Sequence, residues 1–258
     1  MTWTTQPRSK IGVLATISTG TGPLVVLIHG VGLRSEAWGA QIEALSRSYR
    51  VIALDMPGHG ASPALAVGPN MADYVETIVA VLDEPAIVIG HSFGAMIALQ
   101  IAIRHPAKVK AVAALNAIHG RDADAKAAVK LRANKLDGRT IADPTATLIR
   151  WFGADVSPQR MACEEWLRNA NPAGYRDAYR VFATEDGAAE ADLNAIQCPV
   201  LCLTGKEESN STPDMSRKIS QLTPNGRAEI IDGAAHMLPM THATCVNALL
   251  SDFIESSV

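Results

Sequence analysis

Residues 90–94 of the chain read Gly-His-Ser-Phe-Gly. This stretch lies between an apolar run typical of a buried strand, residues 86–89, and an apolar run typical of a helix, residues 95–103. A G-x-S-x-G pentapeptide in this context predicts a tight turn that exposes the serine hydroxyl at the start of the helix. Glycine on both sides of the turn removes side chains that would collide with the helix and the next strand. The sequence therefore predicts a nucleophile elbow that carries Ser92.

Strand and helix patterns alternate on both sides of this turn. Strands are predicted at residues 12–18, 24–28, 50–54, 86–89, 110–115, 199–203 and 228–231, and helices at residues 36–46, 71–82, 95–103, 213–222 and 241–254. Hydrophobic residues make up 48% of the chain and charged residues 19%, which is enough apolar side chain for a sizeable core. This alternation predicts an α/β fold with a mostly parallel central sheet and helices on both faces.

The segment from residue 120 to about residue 191 interrupts the alternation. It contains no convincing strand but four helical stretches, at residues 123–136, 144–152, 158–169 and 173–184. Half of the chain's aromatic residues fall within it, which favours contact with an apolar ligand. We predict that residues 120–191 form a helical lid inserted between two strands of a core made of residues 1–119 and 192–258. Trp151 and Trp166 are predicted to line a pocket beneath this lid.

The serine hydroxyl needs a base, because it is a weak nucleophile near neutral pH. Of the seven histidines in the chain, His236 is the best candidate. It follows the predicted strand at residues 228–231 by a short loop that ends at the edge of the sheet where the elbow lies. His91 is predicted to point away from the pocket when Ser92 points into it. His119, at the boundary of the predicted lid, is a candidate substrate contact.

The base in turn needs an acidic partner that fixes its tautomer. The loop after the predicted strand at residues 199–203 reads Thr-Gly-Lys-Glu-Glu, residues 204–208. It offers Glu208, which we prefer, and Glu207, which stays open as the alternative. Asp214 opens a predicted helix and is interpreted as a first-turn charge that the helix dipole favours.

An oxyanion that forms during acyl transfer needs two donors already in place. One is predicted to be the backbone N–H of Phe93, the residue after the serine. The other is predicted to come from the loop at residues 29–32, His-Gly-Val-Gly, in which Val31 would donate its N–H. The glycines of that loop permit a sharp bend.

Five motifs follow one another along the chain in a familiar order. They are His-Gly-Val-Gly at 29–32, Asp-Met-Pro-Gly-His-Gly-Ala-Ser at 55–62, the elbow at 90–94, the Thr-Gly acidic loop at 204–208 and Gly-Ala-Ala-His at 233–236. On these motifs the chain resembles the α/β-hydrolase fold family over nearly its full length. Among the lidded members it is most similar to serine carboxylesterases and enol-lactonases.

The resemblance implies a catalytic triad of Ser92, Glu208 and His236, because the family's order along the chain is serine, acid, histidine. The family usually has aspartate where this chain has Glu208, and the longer side chain of glutamate changes the reach to the histidine. The resemblance also implies that Asp55 and His59 belong to a loop that supports the floor of the active site and are structural.

Two residues after the oxyanion loop are further candidates for substrate binding. Arg34 is interpreted either as a residue that binds a substrate carboxylate or as a solvated loop arginine. Trp38 is a further candidate for substrate contact. The resemblance implies hydrolysis of a small ester or lactone through an acyl-enzyme. It leaves open hydrolysis of a carbon–carbon bond in a ring-cleavage product, cofactor-free perhydrolase activity, and a non-catalytic small-molecule receptor.

Composition excludes several other classes of partner. The net charge of −3 and the absence of a basic stripe argue against nucleic acid. The first ten residues are polar, unlike a secretory signal, and no segment approaches the roughly 18 apolar residues of a membrane span. The four cysteines form no Cys-x-x-Cys pair and the histidines lack zinc spacing. We expect a cytoplasmic enzyme without metal or cofactor, and the oligomeric state stays open.

Overall fold

A computed structural model describes residues 3–66 and 68–257 of the chain. The strands within these residues are β1 (Arg8–Ile11), β2 (Leu14–Thr19), β3 (Leu24–Ile28), β4 (Arg50–Leu54), β5 (Ala86–His91), β6 (Val109–Leu115), β7 (Val200–Gly205) and β8 (Gly226–Ile231). They form one sheet in the order β1-β2-β4-β3-β5-β6-β7-β8. Only β1 with β2 and β2 with β4 pair antiparallel, and every other pair is parallel. The predicted fold class is confirmed.

Eleven α-helices accompany the sheet in the part of the chain that the structure describes. They are α1 (Gly39–Leu45), α2 (Met71–Val79), α3 (Phe93–Arg104), α4 (Ala123–Asn134), α5 (Thr145–Phe152), α6 (Pro158–Arg168), α7 (Pro172–Thr184), α8 (Glu190–Asn194), α9 (Pro213–Leu222), α10 (Leu238–Thr241) and α11 (Ala243–Glu255). Short 3₁₀ turns lie at Ser35–Trp38 and Pro106–Lys108. The helix predicted at residues 36–46 is therefore divided into the first 3₁₀ turn and α1. The helix predicted at residues 241–254 corresponds to α11, and the short α10 before it is not predicted.

The central strand β3 shows why both faces of the sheet are covered. Its five residues are all buried, and successive side chains point to opposite faces. Leu24, Val26 and Ile28 join an apolar cluster that includes residues of α2 and α3, whereas Val25 and Leu27 join a second cluster with residues of α1 and α11. A strand buried on both faces reads as a continuous apolar run. That is the pattern from which this strand was predicted.

The amino-terminal hairpin differs from the sequence prediction of one strand at residues 12–18. The structure has two strands there, with Gly12 in the turn between them at a φ of +58°. The first three residues of β1 are exposed, because this strand lies at the edge of the sheet. A polar edge strand carries no apolar alternation, so hydrophobic periodicity does not predict it.

The helices α4–α7 form a segment that we call the helical insertion. Its α5 and α6 pack on the loops that follow β3 and β8, where Leu33 and Met237 contact the cluster around Leu148 and Leu167. The predicted segment 120–191 contains the insertion but ends inside α8, whose Leu193 belongs to the main core. The structure does not test whether the insertion opens and closes, so its role as a lid stays a prediction.

No helix within residues 3–66 and 68–257 combines the length and the apolar character that a membrane crossing requires.

Candidate active site

The turn between β5 and α3 holds Ser92 in a strained backbone conformation. Its φ of 57° and ψ of −118° are uncommon for a residue with a side chain. A Cβ atom on Gly90 would lie 2.1 Å from the carbonyl oxygen of Gly94, and one on Gly94 would lie 2.2 Å from that of Ile28. Both glycines are therefore required by close backbone contacts. The nucleophile elbow has the geometry that the pentapeptide predicts.

The loops after β7 and β8 bring His236 and Glu208 together. The His236 Nδ1–H donates to Glu208 Oε2 at 2.7 Å, since an ionised carboxylate can only accept. The other carboxylate oxygen, Oε1, accepts from the backbone N–H groups of Asn210 at 2.6 Å and Ser211 at 3.2 Å. Burial acts to raise the pKa of Glu208, but the charge and hydrogen bond of His236 and the two N–H groups hold it below its ordinary value. Glu208 is thus an ionised acceptor that orients the imidazole.

The His236 backbone is fixed by two further side chains. Its carbonyl oxygen accepts from His91 Nε2 at 2.8 Å and from Asn116 Nδ2 at 2.6 Å. Burial, with the neighbouring His236, lowers the pKa of His91 to about 3, so His91 is a neutral donor. The ring of Trp151 stacks on the His236 ring at 5.3 Å between centroids, with 21° between the planes. His91 thus supports the base instead of facing the cavity, as the sequence predicts.

Ser92 and His236 both line one cavity of about 170 Å³. The two residues are 9% and 7% exposed, so each reaches the cavity from an otherwise buried position. Among the hydrogen bonds of the described residues, none joins the serine hydroxyl to the imidazole directly. Catalytic hydrogen bonds are often long in unliganded enzymes and shorten when substrate binds. The arrangement places the base and the hydroxyl at one cavity wall.

The turn after β3 presents the predicted oxyanion donors. The Leu33 N–H donates to the Gly30 carbonyl at 3.2 Å, and Gly32 has a φ of +80°, as in the third position of a type II turn. Val31, in the middle of this turn, and Phe93, at the first position of α3, donate to no backbone acceptor within the described part of the chain. Both N–H groups are therefore free to bind a ligand oxygen.

Asp55 and His29 support this turn from below. The Asp55 carboxylate accepts from the N–H groups of Ser35 and Ala61, each at 2.8 Å, and from Arg8 Nη1 at 2.6 Å. His29 Nε2 accepts from the backbone N–H of Met56 at 3.0 Å. These contacts fix the loops after β3 and β4 to each other. They agree with a structural role for Asp55.

The walls of the cavity opposite the serine come from the helical insertion and its flanks. They include the aromatic rings of Trp151, Tyr175, Tyr179 and Phe182 and the guanidinium groups of Arg121, Arg132 and Arg150. Burial raises the pKa of Tyr175 to about 12, so its hydroxyl is neutral. No aspartate or glutamate occurs in the described lining. The cavity is therefore small, partly aromatic and positively charged.

Of the five residues predicted to contact substrate, the structure places only Trp151 in the cavity lining. Arg34 instead forms an ion pair with Glu36, with 2.7 Å between Nε and Oε2. Trp38 is 1% exposed and packs in the core against the sheet, because its predicted helical face points inward. The structure therefore places neither residue in the lining of this cavity.

The remaining two candidates lie nearby but not in the lining. The ring of Trp166 packs edge-on against Trp3 at 6.3 Å between centroids, within the apolar cluster beneath α6. His119 is half-buried against Gly187, while its neighbour Ile118 lines the cavity. The sequence does not predict the cavity arginines, because an arginine in a helix or loop carries no signal of which side it faces.

In the described residues, no group of three or more histidine, cysteine, aspartate or glutamate side chains is placed to hold a metal ion.

Comparison with known proteins adds an independent observation. Residues 23–243 match the sequence pattern of a family described as alpha/beta hydrolase fold. The chain is 37% identical to (E)-2-((N-methylformamido)methylene)succinate hydrolase of Acinetobacter baylyi, over 92% of both chains. It is 30% identical to a pimeloyl-[acyl-carrier protein] methyl ester esterase of Chromobacterium violaceum, over 92% of this chain and 96% of that one. The enol-lactonase from Burkholderia xenovorans LB400 shares the fold, with a TM-score of 0.83 and 21% identity over 96% of this chain and 100% of the other.

Proposed function

The chain belongs to the alpha/beta hydrolase fold family, and from that premise we propose that it is a serine hydrolase of small carboxylic esters or lactones. The observation that carries the proposal is the 2.7 Å hydrogen bond from His236 to Glu208 at a cavity that Ser92 also lines. A relative with 30% identity is a methyl ester esterase, which supports ester cleavage. Membership of the family indicates that the chain is a hydrolase. We propose which bond it cleaves and which role each site residue has.

The proposed reaction proceeds through a covalent acyl-enzyme. Ser92 Oγ attacks the carbonyl carbon while His236 Nε2 accepts the hydroxyl proton. His236 then returns this proton to the leaving alcohol as the carbon–oxygen bond breaks. In the second half of the reaction, a water molecule gives a proton to His236 and attacks the acyl-enzyme carbonyl carbon. The bond to Ser92 Oγ then breaks, Ser92 regains the proton from His236, and the carboxylic acid is released. Glu208 holds His236 in the tautomer with its proton on Nδ1. It also stabilises the imidazolium that forms in each half of the reaction.

The N–H groups of Val31 and Phe93 are proposed to bind the oxyanion of each tetrahedral intermediate. Support comes from their free hydrogen-bonding capacity and from the position of Phe93 at the first turn of α3. A helix N-terminus favours negative charge. Such donors each contribute about 10²–10³-fold in rate in related mechanisms.

The helical insertion is proposed to act as a lid that sets substrate size. The cavity volume of about 170 Å³ fits a small molecule, and Trp151, Tyr175 and Phe182 form much of its wall. A small-molecule substrate is thus the proposed partner, and the core at residues 1–119 and 192–258 would supply the chemistry.

A second candidate substrate is an amido-methylene succinate. The relative with 37% identity carries the name (E)-2-((N-methylformamido)methylene)succinate hydrolase, and it matches 92% of this chain. The same serine, base and oxyanion donors could hydrolyse such a compound. This compound therefore belongs in the substrate panel beside simple esters and lactones.

The proposal is tested by turnover of 4-nitrophenyl acetate and a panel of small esters and lactones. We expect hydrolysis by the unmodified protein and a loss of at least ~10³-fold in Ser92→Ala, which lacks the nucleophile. Turnover that survives in Ser92→Ala would contradict the assigned nucleophile. A failure of every ester, lactone and amide tried would favour a non-catalytic receptor.

A further inference from the structure

The cavity has an unusual charge balance. Three arginines, Arg121, Arg132 and Arg150, line it, and no aspartate or glutamate is found in the described lining. Glu208 lies behind His236 and is already satisfied by three hydrogen bonds. Like charges in a confined space with reduced dielectric raise the free energy of the empty site. An anionic ligand would relieve this repulsion.

Arg121 is explained by the fold itself. Its Nη1 donates to the Glu185 carbonyl at 2.6 Å, its Nη2 donates to the Phe182 carbonyl at 3.3 Å, and its guanidinium lies 4.5 Å from the centre of the Phe182 ring. Asp186 stands 3.8 Å away. Arg121 therefore fastens the end of α7 and has a carboxylate close to its charge.

Arg150 lacks structural contacts of the kind that Arg121 makes. Its one side-chain hydrogen bond is a long one of 3.3 Å to the Thr147 hydroxyl, and its buried Nε has no acceptor in the described part of the chain. It forms no ion pair within 4.0 Å there. Burial and the nearby charge of Arg132 lower the pKa of Arg150, although a guanidinium stays protonated in proteins. Arg150 thus has a free hydrogen-bonding edge and an uncompensated charge.

Arg132 lies beside it in the same lining. Its Nε donates to the Tyr179 hydroxyl at 2.9 Å, and it too lacks a carboxylate partner among the described residues. Arg132, Arg150 and Tyr179 also line an adjoining cavity of about 200 Å³. The one acid that lines this second cavity, Asp143, pairs with Arg168 at 3.6 Å.

Most arginines outside the cavity have their charge balanced or solvated. Among those without an ion pair in the described residues, Arg47, Arg104, Arg139 and Arg180 are exposed, and Arg160 donates to the Gly153 carbonyl. Each of the following has a carboxylate within 4.0 Å: Arg8, Arg34, Arg50, Arg168, Arg176, Arg217 and Arg227. These pairs are mostly at the surface, where such contacts contribute little stability. Arg132 and Arg150 lack this partner. Arg132 is exposed, whereas Arg150 is half-buried with a buried Nε, where an unpaired charge is more costly.

We infer that Arg150, with Arg132 beside it, binds a carboxylate carried by the substrate. The planar fork of a guanidinium matches a carboxylate with two parallel hydrogen bonds. The inference rests on the proposed hydrolase function and adds the substrate class to it: a small acyl compound with a free carboxylate, held with its reacting carbonyl at Ser92. Arg150 is then the residue that selects anionic over neutral substrates.

The kinetic test compares two esters of similar shape and different charge. These are 4-nitrophenyl hydrogen succinate, which carries a carboxylate, and 4-nitrophenyl 4-methylpentanoate, which is neutral. We expect Arg150→Gln to lower the ratio of their kcat/KM values, anionic over neutral, by roughly 10–100-fold, as for a lost hydrogen-bonded charge pair. Arg150→Lys should keep much of the preference. Arg139→Gln, an exposed arginine outside both cavities, serves as the matched control and should leave the ratio unchanged.

A binding measurement separates this inference from the proposed function. Calorimetric titration of Ser92→Ala with succinate needs no turnover, and we expect binding that the added Arg150→Gln substitution weakens at least about tenfold. Succinate binding that depends on Arg150 would support the anion site even in a protein that hydrolyses nothing. An unchanged kinetic ratio in Arg150→Gln, with succinate binding also unchanged or absent, would overturn the inference.

Discussion

The loops at the carboxyl edge of the sheet and the helical insertion contribute to the same cavity in different ways. The sheet loops hold their functional groups through short local motifs, such as the two glycines that frame Ser92 and the backbone N–H groups that hold Glu208. The insertion places Arg132 and Arg150 through helix packing over a longer stretch of chain. We infer that the reaction is set by the sheet and the choice of substrate by the insertion.

The largest expected effect lies on the sheet side, in Glu208→Gln. The two N–H groups at Oε1 would hold the amide oxygen of glutamine, so that its NH₂ group would face His236 Nδ1. That arrangement enforces the tautomer with the proton on Nε2, which cannot accept the serine proton. We expect kcat/KM to fall by at least about 10³-fold on every substrate.

Glu207→Gln is the matched control for this substitution. The Glu207 side chain is exposed, while its backbone N–H bonds the Ala234 carbonyl at 2.9 Å. The substitution should leave kcat/KM within about twofold of the unmodified enzyme. A larger loss in Glu207→Gln than in Glu208→Gln would reverse the assignment of the acid.

Gly32→Ala probes the junction of the two regions. The added Cβ would lie 2.5 Å from Leu167 Cδ2 and 2.8 Å from Tyr175 Cε2, both in the insertion, at a φ of +80°. The turn that presents the Val31 N–H must then shift. We expect kcat to fall by about 10²-fold, the usual effect of losing one oxyanion donor.

Gly12→Ala is the control for Gly32→Ala, because it adds backbone strain at a positive φ without displacing the turn after β3. Gly12 also has a positive φ, of +58°, but its Cβ would meet no atom within 4 Å. This variant should lower the melting temperature by a few degrees, as expected for a loss of about 1 kcal/mol, and keep its kcat. Equal kcat values in the two variants would exclude an effect through the oxyanion turn.

The smallest expected effect lies in the insertion, at Trp151. Its ring stacks on His236 and lines the cavity, whereas the Trp166 ring packs on Trp3 outside it. Trp151→Leu should change the ratio of kcat/KM between small and large esters by about tenfold. Trp166→Leu should mainly lower the melting temperature, since it empties space in a packed cluster. An equal change in this ratio in Trp151→Leu and Trp166→Leu would contradict separate roles for the two rings.

The sequence carries more information about the sheet than about the insertion. The apolar runs at residues 24–28 and 50–54 predict their strands to the residue, because both faces of these strands are buried. The glycines around Ser92 and the loops that bring Glu208 to His236 follow from motifs a few residues long. In the structure, His236 bonds Glu208 and Ser92 lies at the turn before α3.

The sequence predicts the helical insertion and the edge strand β1 less well than the central sheet. Arg34 was the sequence-based candidate for a substrate carboxylate, but Glu36, two residues away, pairs with it. The free arginine, Arg150, lies on α5, and its position depends on how that helix packs over the loops after β3 and β8. The environment that a helical arginine meets is set by tertiary packing, which residue spacing alone does not encode.

Covalent labelling with a fluorophosphonate shows whether His236 and Glu208 activate Ser92. We expect one adduct per chain, on the peptide that contains Ser92, with labelling slowed at least ~10²-fold in His236→Ala and absent in Ser92→Ala. Labelling at another residue, or an equal rate of Ser92 labelling without the His236 ring, would contradict this activation.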